Sequence, residues 1–161
     1  MIQKEASPLE SLRILFGRLL SRRVHLSKEY TGKVFAMEDG KRFRIIRDLR
    51  IDHEQRSAQS VAVSIVRFKF SGLPLAVNKR LSLIPAPFLI AKTGFHQKLW
   101  TIAEDGYFQG VYQWATKEFA DEYPQSFIFK MVTLRSLEGT VSYEVIPDTV
   151  LSEYVENYLL H

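Results

Sequence analysis

The chain has 161 residues, enough for one domain with its own core and too short for two ordinary ones. Its composition, 46% hydrophobic and 25% charged, excludes a disordered chain, and the lack of cysteine excludes disulfides, thiolate nucleophiles and cysteine metal sites. The net charge of +4 comes from the N-terminal third, because positions 1–60 hold 13 Lys and Arg against 8 Asp and Glu. No apolar run is long enough for a signal peptide or a membrane span, so we expect a cytoplasmic protein.

The N-terminal segment predicts a basic amphipathic helix. Ser7 suits the N-cap, Pro8 suits the first helical position and Glu10 completes a capping box. Apolar residues then recur at helical spacing, with arginines mostly outside their face: Leu9, Leu12, Leu15, Phe16, Leu19 and Leu20. Such a helix docks on its own domain, on a second copy of the chain or on a membrane surface, and the pattern does not decide between these.

Residues 33–51 predict a β-hairpin that turns at Asp39-Gly40. In its second strand, residues of an apolar face alternate along the chain with residues of a strongly basic face. Residues 52–60 are polar and lack periodicity, which is typical of a linker. We therefore expect an N-terminal extension over 1–60, made of the helix, the hairpin and the linker, followed by a separate unit over 61–161.

The unit over 61–161 alternates strand patterns with helix patterns. Its predicted strands are rich in β-branched and aromatic residues and cover 61–70, 95–103, 107–115 and 140–146. A turn at Asp105-Gly106 joins the middle two strands as a second hairpin. Between the first two strands, residues 75–83 predict a short helix, which Pro85 and Pro87 must end.

Two more helices are predicted in the C-terminal half. Thr116 suits the N-cap of one helix, which Pro124 interrupts and which resumes from about Ser126. Asp148 suits the N-cap of the last helix, whose apolar residues share one side.

The order strand, helix, strand, strand, helix, strand is that of the split βαβ unit of ferredoxin-like folds. We therefore predict an α+β protein with helices on one face of an antiparallel sheet. On the other face, side chains such as Trp100 and Tyr112 alternate along their strands, so neither face is wholly polar. An uncovered apolar face of this size is usually an interface.

The segment Gly94 to Pro147 carries a distinctive set of motifs. They are a Gly-Phe turn, the triplet Lys-Leu-Trp, the run Gly-Val-Tyr-Gln-Trp and a short helix, at 94–95, 98–100, 110–114 and 120–123. Together they resemble the dimeric α/β-barrel superfamily, and within it small monooxygenase-like proteins. The resemblance implies a homodimer of two sheets packed face to face, with a cavity in each protomer for a small apolar or aromatic molecule. It also implies oxygenation without a bound metal, through deprotonation of the substrate.

Several residues of this unit are candidates for a site. An imidazole titrates near neutrality, so His96 is the candidate catalytic base. Arg67 and Lys98, with Lys69, are candidates for holding an anionic substrate group, because cations pair well with carboxylates in partly dry sites. Four aromatic residues are candidates for the wall of an apolar pocket: Trp100, Tyr112, Trp114 and Tyr143. Each also has an ordinary interpretation as solvated strand surface, core or dimer contact.

The sequence argues against bound cofactors and metals. Haem-degrading members of the superfamily rely on an asparagine, a tryptophan and a histidine, but here Arg67 and Lys69 occupy the first strand where the asparagine is wanted. His53-Glu54 has no second histidine at metal-binding spacing. We therefore expect no cofactor and no metal.

The strand order and the basic N-terminal region raise two other classes of partner, nucleic acid and a protein or anionic surface. RNA-recognition motifs share the strand order, but Phe108 and Gln109 occupy positions that want a small residue and a stacking aromatic, so no nucleic acid is expected. The alternative to a small-molecule-binding protein is a non-enzymatic interaction module, which would use its basic N-terminal region to dock on a partner or an anionic surface.

Overall fold

The computed structural model describes residues 7–20, 23–52 and 61–161. In this part of the chain the strands are β1 Val24–Ser27, β2 Val34–Ala36, β3 Arg42–Ile51, β4 Ala62–Lys69, β5 Phe95–Ala103, β6 Tyr107–Trp114 and β7 Ser142–Pro147. The helices are α1 Pro8–Leu20, α2 Leu75–Leu81, α3 Ala86–Ala91, α4 Lys117–Glu122, α5 Phe127–Leu134 and α6 Leu151–Tyr158. The predicted linker falls on residues 52–60, which lie almost entirely outside the described residues.

All the described strands belong to one antiparallel sheet with the order β1-β3-β5-β6-β4-β7, and β2 pairs with β3. Within this order, β5-β6-β4-β7 is the arrangement of a ferredoxin-like split βαβ unit, in which the two central strands are not consecutive in sequence. The predicted α+β ferredoxin-like fold is therefore confirmed.

The predicted N-terminal hairpin is also present, and β3 joins the sheet beside β5. Its apolar side chains Phe43, Ile45, Leu49 and Ile51 are all buried, but they do not share one face as predicted. A register shift after Ile45 places Phe43 and Ile45 in one core cluster and Leu49 and Ile51 in the cluster on the opposite face. The short strand β1 on its outer side was not predicted. The division of the chain at residue 60 stays a prediction.

The first face of the sheet, defined here as the face covered by α3, α4 and α5, carries a large aromatic core. Tyr112 and Trp114 stack with ring centroids 6.1 Å apart, and Tyr123 packs on both at 5.1 and 5.2 Å. The Trp114 indole N–H donates to the Ser64 hydroxyl at 2.8 Å. Because buried indole and phenol groups need hydrogen-bond partners, these contacts identify Trp114 as a core residue.

The second face of the sheet is covered by α6 within the same chain. Leu151, Tyr154 and Val155 of α6 are buried in one cluster with side chains from β2 to β6. The Phe35 and Tyr154 rings meet edge to face, with centroids 5.9 Å apart. The apolar second face therefore has an intramolecular partner, which the sequence did not identify.

Two sequence expectations about helix ends are corrected. Pro85 and Pro87 were expected only to end a helix, yet Pro85 is the N-cap of α3 and Pro87 lies in its first turn, where a proline's missing N–H costs nothing. Asp148 does not cap α6. It lies in the preceding turn at φ 51°, and the α6 amide of Leu151 donates instead to the Gln113 side chain.

The caps of α4 and α5 agree with the predictions, and Ser126 offers a direct test. Its hydroxyl accepts a hydrogen bond from the Phe129 amide at 3.2 Å, and the residue is buried. Ser126→Ala is expected to lower the free energy of unfolding by about 1 kcal/mol, because a buried helix amide loses its acceptor. Urea unfolding followed by circular dichroism measures this. Ser152→Ala, at an exposed position in α6, is the control and is expected to change it by less than about 0.5 kcal/mol.

Candidate binding site

A small cavity lies between the first face of the sheet and α5. It has a volume of about 30 Å³, room for about two water molecules. Its wall is mostly apolar, and it is called the Lys98 cavity here after the amine in it; its lining includes Phe68, Lys98, Trp100, Phe108, Tyr112 and Met131. On the α5 side the wall is half-buried rather than buried, at Met131, Val132 and Arg135. That side of the cavity is therefore the more accessible one.

A β-bulge in β5 decides which side chains face the cavity. The register with β6 shifts between Phe95 and Gln97. Strict alternation would put Phe95 on the face opposite Lys98 and Trp100, but one extra residue brings all three to the first face. Bulges of this kind re-aim side chains, and this one directs Lys98 to the cavity.

Gly110 makes room for the aromatic wall. It pairs with Trp100 across the sheet, and the Tyr112 ring from the same strand lies over it. A Cβ at this position would lie 2.7 Å from Tyr112 Cε2, closer than carbon atoms approach. Gly110 is therefore a requirement of the site, and sequence reasoning noted it only as part of a motif.

The Lys98 amine lies between two aromatic rings. Its Nζ is 4.3 Å from the centroid of the Trp100 ring and 4.7 Å from that of Tyr112, distances at which a cation is attracted by the π face. The residue is only 8% exposed. Burial, with a smaller contribution from the nearby Arg47 charge, lowers the pKa of Lys98 to about 7.

Arg47 is held beside the cavity by the end of α2. Its guanidinium donates to the Ser82 hydroxyl at 3.1 Å and to the Lys79 carbonyl at 3.0 Å. The Trp100 indole N–H donates to the Ser82 carbonyl at 3.2 Å. These bonds fix both side chains, because carbonyls at a helix C-terminus lack partners within the helix. Sequence reasoning missed Arg47, which strict alternation placed on the apolar face of the predicted strand.

The phenol groups near the cavity are neutral and hydrogen-bonded. The Tyr123 hydroxyl donates to that of Tyr112 at 3.3 Å, and burial raises the pKa of both. The Tyr143 hydroxyl donates to the Ala120 carbonyl, and burial raises the pKa of Tyr143 to about 12. At neutral pH these groups therefore serve as hydrogen-bond donors and ring surfaces, not as bases.

The structure brings three of the predicted site residues together at the cavity: Lys98, Trp100 and Tyr112. Trp114 and Tyr143 belong to the adjoining aromatic core but are not part of the cavity wall. His96 lies at the β5 bulge, half-buried and also outside the wall.

Arg67 lies on the second face of the sheet. Its guanidinium donates to Gln109 Oε1 at 3.0 and 3.1 Å and pairs with Asp39 at the hairpin turn. Strand alternation explains the separation, because Arg67 and the cavity-lining Phe68 are consecutive in β4 and point to opposite faces. Arg67 therefore ties the N-terminal hairpin to the sheet.

A larger groove of about 560 Å³ runs between α1, α3 and the α4–α5 region. Its walls mix apolar side chains with ionisable ones, including Phe88, Phe119, Glu10, Lys92 and Glu122. Its volume is in the usual range for small-molecule sites. None of the predicted site residues lines it.

No helix among the described residues is long and apolar enough to cross a membrane. No group of three or more His, Asp or Glu side chains in the described ranges is arranged to hold a metal ion.

No protein-family model and no curated protein matches the sequence. Among solved structures, a haem-degrading enzyme from Listeria monocytogenes aligns over 76% of this chain and 95% of its own, with a TM-score of 0.51 and 11% identity. An uncharacterised ferredoxin-fold protein related to antibiotic biosynthesis monooxygenases, from Listeria monocytogenes 4b F2365, aligns over 84% and 88%, with a TM-score of 0.43 and 12% identity. A monooxygenase-like protein from Listeria innocua aligns over 71% and 69%, with a TM-score of 0.43 and 14% identity.

At these identities the likeness concerns the fold alone. The alignment with the haem-degrading enzyme is the one that supports a shared fold. Together with the strand order, it shows that this chain has a ferredoxin-like α+β fold.

Proposed function

We propose that the protein binds a small apolar or aromatic molecule in the Lys98 cavity and oxygenates it without a bound cofactor. The observation that carries the proposal is the convergence of Lys98, Trp100 and Tyr112 on one cavity of the first face. Ring surfaces suit an aromatic body, and the amine suits a polar or anionic group on it. Monooxygenase-like structural neighbours support the oxygenase class.

The cavity must widen to receive such a ligand. At about 30 Å³ it is well below the volume of a typical ligand site. The half-buried Met131 on α5 is the most adaptable part of its wall, because methionine is unbranched and has three rotatable bonds. Movement of α5 side chains is therefore part of the proposed binding step.

The residues present do not fit a haem. The cavity is far smaller than a porphyrin, and no histidine is found among its lining residues in the described part of the chain. The proposal therefore includes no step through a haem.

The binding part of the proposal is tested by calorimetric titration with 1-naphthol. Met131→Trp is expected to weaken binding by roughly tenfold or more, because a larger side chain fills the cavity and small changes in apolar contact are worth about 1–3 kcal/mol. Lys130→Trp changes the neighbouring exposed residue of α5 and is the matched control. Equal affinity in both variants would place the ligand elsewhere, with the α1–α3 groove as the next location to block.

The role of His96 is tested by turnover. If His96 is the base, His96→Ala is expected to lower kcat by about 10²–10⁴-fold with little change in KM, since general-base catalysis contributes that much. Oxygen consumption with an established substrate gives both constants. An unchanged rate would eliminate His96, whose position at the bulge then has a purely structural explanation.

The homodimer predicted from the resemblance is tested by native mass spectrometry of protein purified under gentle conditions. A dimer that carries a small molecule would support both the assembly and the ligand. A monomer would contradict the assembly, and the cover that α6 gives the second face would then explain why no second copy is needed.

A second candidate function is docking on an anionic membrane through α1. The observation that favours it is exposure: Leu9 is 81% and Phe16 63% exposed, and Arg13 lies on the same helix. Sedimentation with phosphatidylserine vesicles is expected to show binding that high salt weakens. Deletion of residues 1–20 is the appropriate variant, because a longer deletion would remove β3 from the sheet. Binding that survives this deletion would overturn the hypothesis.

A further inference from the structure

The amine of Lys98 has no partner that would stabilise its charge through a hydrogen bond. In the described part of the chain, its contacts are the ring faces of Trp100 and Tyr112, with no hydrogen bond and no ion pair. A buried ammonium group is normally paired, because removing an unpaired charge from water is costly. The position therefore favours the neutral amine.

The charged and titratable groups around Lys98 add to this effect. On the described elements packed against it they are Arg47 on β3, Tyr112 on β6 and Arg135 just after α5. Arg135 donates to Asn78 Oδ1 at 3.2 Å and stacks 4.6 Å from the Phe70 centroid. None of the residues that line the cavity is acidic. With the pKa of Lys98 at about 7, about half of the amine is neutral at neutral pH.

We propose that Lys98 is a nucleophilic amine that captures a small aldehyde or ketone as an imine inside the Lys98 cavity. A lysine acts as a nucleophile when it is desolvated in an apolar pocket or lies next to a second cation. Lys98 meets both conditions, through the walls of the cavity and through Arg47. This chemistry goes beyond the proposed oxygenase function and does not depend on it.

The reaction needs no oxidant and no reductant. The Nζ lone pair forms a bond to the carbonyl carbon, and the π pair of the carbonyl moves to its oxygen. One N–H proton passes to that oxygen through water, which gives a carbinolamine. The C–O bond then breaks, the oxygen leaves as water with the second N–H proton, and the nitrogen lone pair closes the C=N bond.

The cavity also limits which carbonyl compounds react. Its volume of about 30 Å³ admits only the smallest compounds without movement of the wall. Its wall is apolar beside the amine, so a neutral carbonyl compound enters more easily than a charged one. The side chains at its outer edge, Met131 and Val132, are half-buried, so this is its more accessible side. Acetaldehyde is the appropriate probe.

The test is reductive trapping of the folded wild-type protein with acetaldehyde and cyanoborohydride at pH 7, followed by glutamate-specific digestion and mass spectrometry. Lys98 is expected to gain an ethyl group roughly tenfold faster or more than the exposed Lys130 of α5, since an ordinary lysine amine is almost wholly protonated at this pH. The rate at Lys98 is expected to level off above about pH 7, where the amine is already neutral.

Two variants complete the test. Lys98→Arg is expected to lose the fast ethylation event and retain the slow ones, because a guanidinium stays protonated and forms no imine here. Lys130→Arg is the matched control and is expected to keep the fast event. The proposal is overturned if Lys98 in the folded wild-type protein reacts no faster than Lys130, or if it reacts only after urea unfolding. Neither outcome bears on the binding of 1-naphthol, so the two proposals fail separately.

Discussion

Substituting methionine for Lys98 is expected to remove a rise in stability between pH 7 and pH 9. The pKa of Lys98 is about 7 in the folded protein and about 10.4 in an unfolded chain. Between these values the unfolded state binds one more proton, so the free energy of unfolding of the wild type increases with pH by up to about 1.4 kcal/mol per unit. Below pH 7 both states are protonated and the wild type carries the full cost of the buried charge. The methionine variant has no such dependence.

The measurement is urea unfolding of both proteins at pH 6, 7, 8 and 9. The difference between their free energies of unfolding is expected to change by about 2–3 kcal/mol between pH 7 and pH 9, with the variant the more stable at pH 6. Higher pH is avoided because buried phenols such as Tyr112 and Tyr123 have raised pKa values and destabilise the fold once the unfolded chain ionises. Lys130→Met, at an exposed position, is the control. A difference that does not vary with pH would show that Lys98 is solvated.

The fold could be predicted from the sequence because its signals are local. Runs of β-branched and aromatic residues, with Gly40 and Gly106 at the turns, located β3 to β7 to within two residues at most ends. Strand order then followed from the sequence of elements, because split βαβ units fold in few ways. The short strand β1 was not predicted because the alternation in Val24–Ser27 covers only four residues, the lower limit at which such a pattern predicts a strand.

The site was only partly predictable because its geometry depends on the register in which the strands pair. An alternating pattern gives the faces of a regular strand, but the bulge at Phe95 and Gln97 changes which residues share a face. Arg47 reached the first face in the same way, through a register shift in β3 after Ile45. Arg67 and Lys98 could be grouped by charge in the sequence, yet they lie on opposite faces of the sheet.

Tertiary contacts also decided the role of α6. An acidic residue before a helical pattern normally predicts an N-cap, and Asp148 fits this pattern. Instead a side chain from β6, Gln113, accepts the Leu151 amide. This contact attaches the start of α6 to the centre of the second face, next to the buried Val111. Only the packed structure shows that the last helix covers the face that the sequence assigned to a partner.

The junction between β3 and β5 predicts the other large effect, because it contains a fully buried carboxylate. Asp48 is 0% exposed and accepts hydrogen bonds from the Arg50 guanidinium, at 2.7 Å from Nη2, and from the Gln97 amide at 2.8 Å. Arg50 also pairs with Glu29 at 2.8 Å and lies 5.2 Å from the centroid of the Tyr30 ring. These contacts hold the N-terminal hairpin to the strand that carries Lys98.

Asp48→Ala is expected to lower the free energy of unfolding by about 3 kcal/mol, because Arg50 would stay partly buried without its main partner. The loss is at the low end for a buried pair, since Arg50 is a quarter exposed and keeps Glu29. Urea unfolding measures it. Glu29→Gln, at the exposed end of the same network, is the matched control and is expected to cost at most about 1 kcal/mol. If both variants lost equally little, the network would be a surface feature, and the attachment of β3 to β5 would depend on backbone pairing and apolar burial alone.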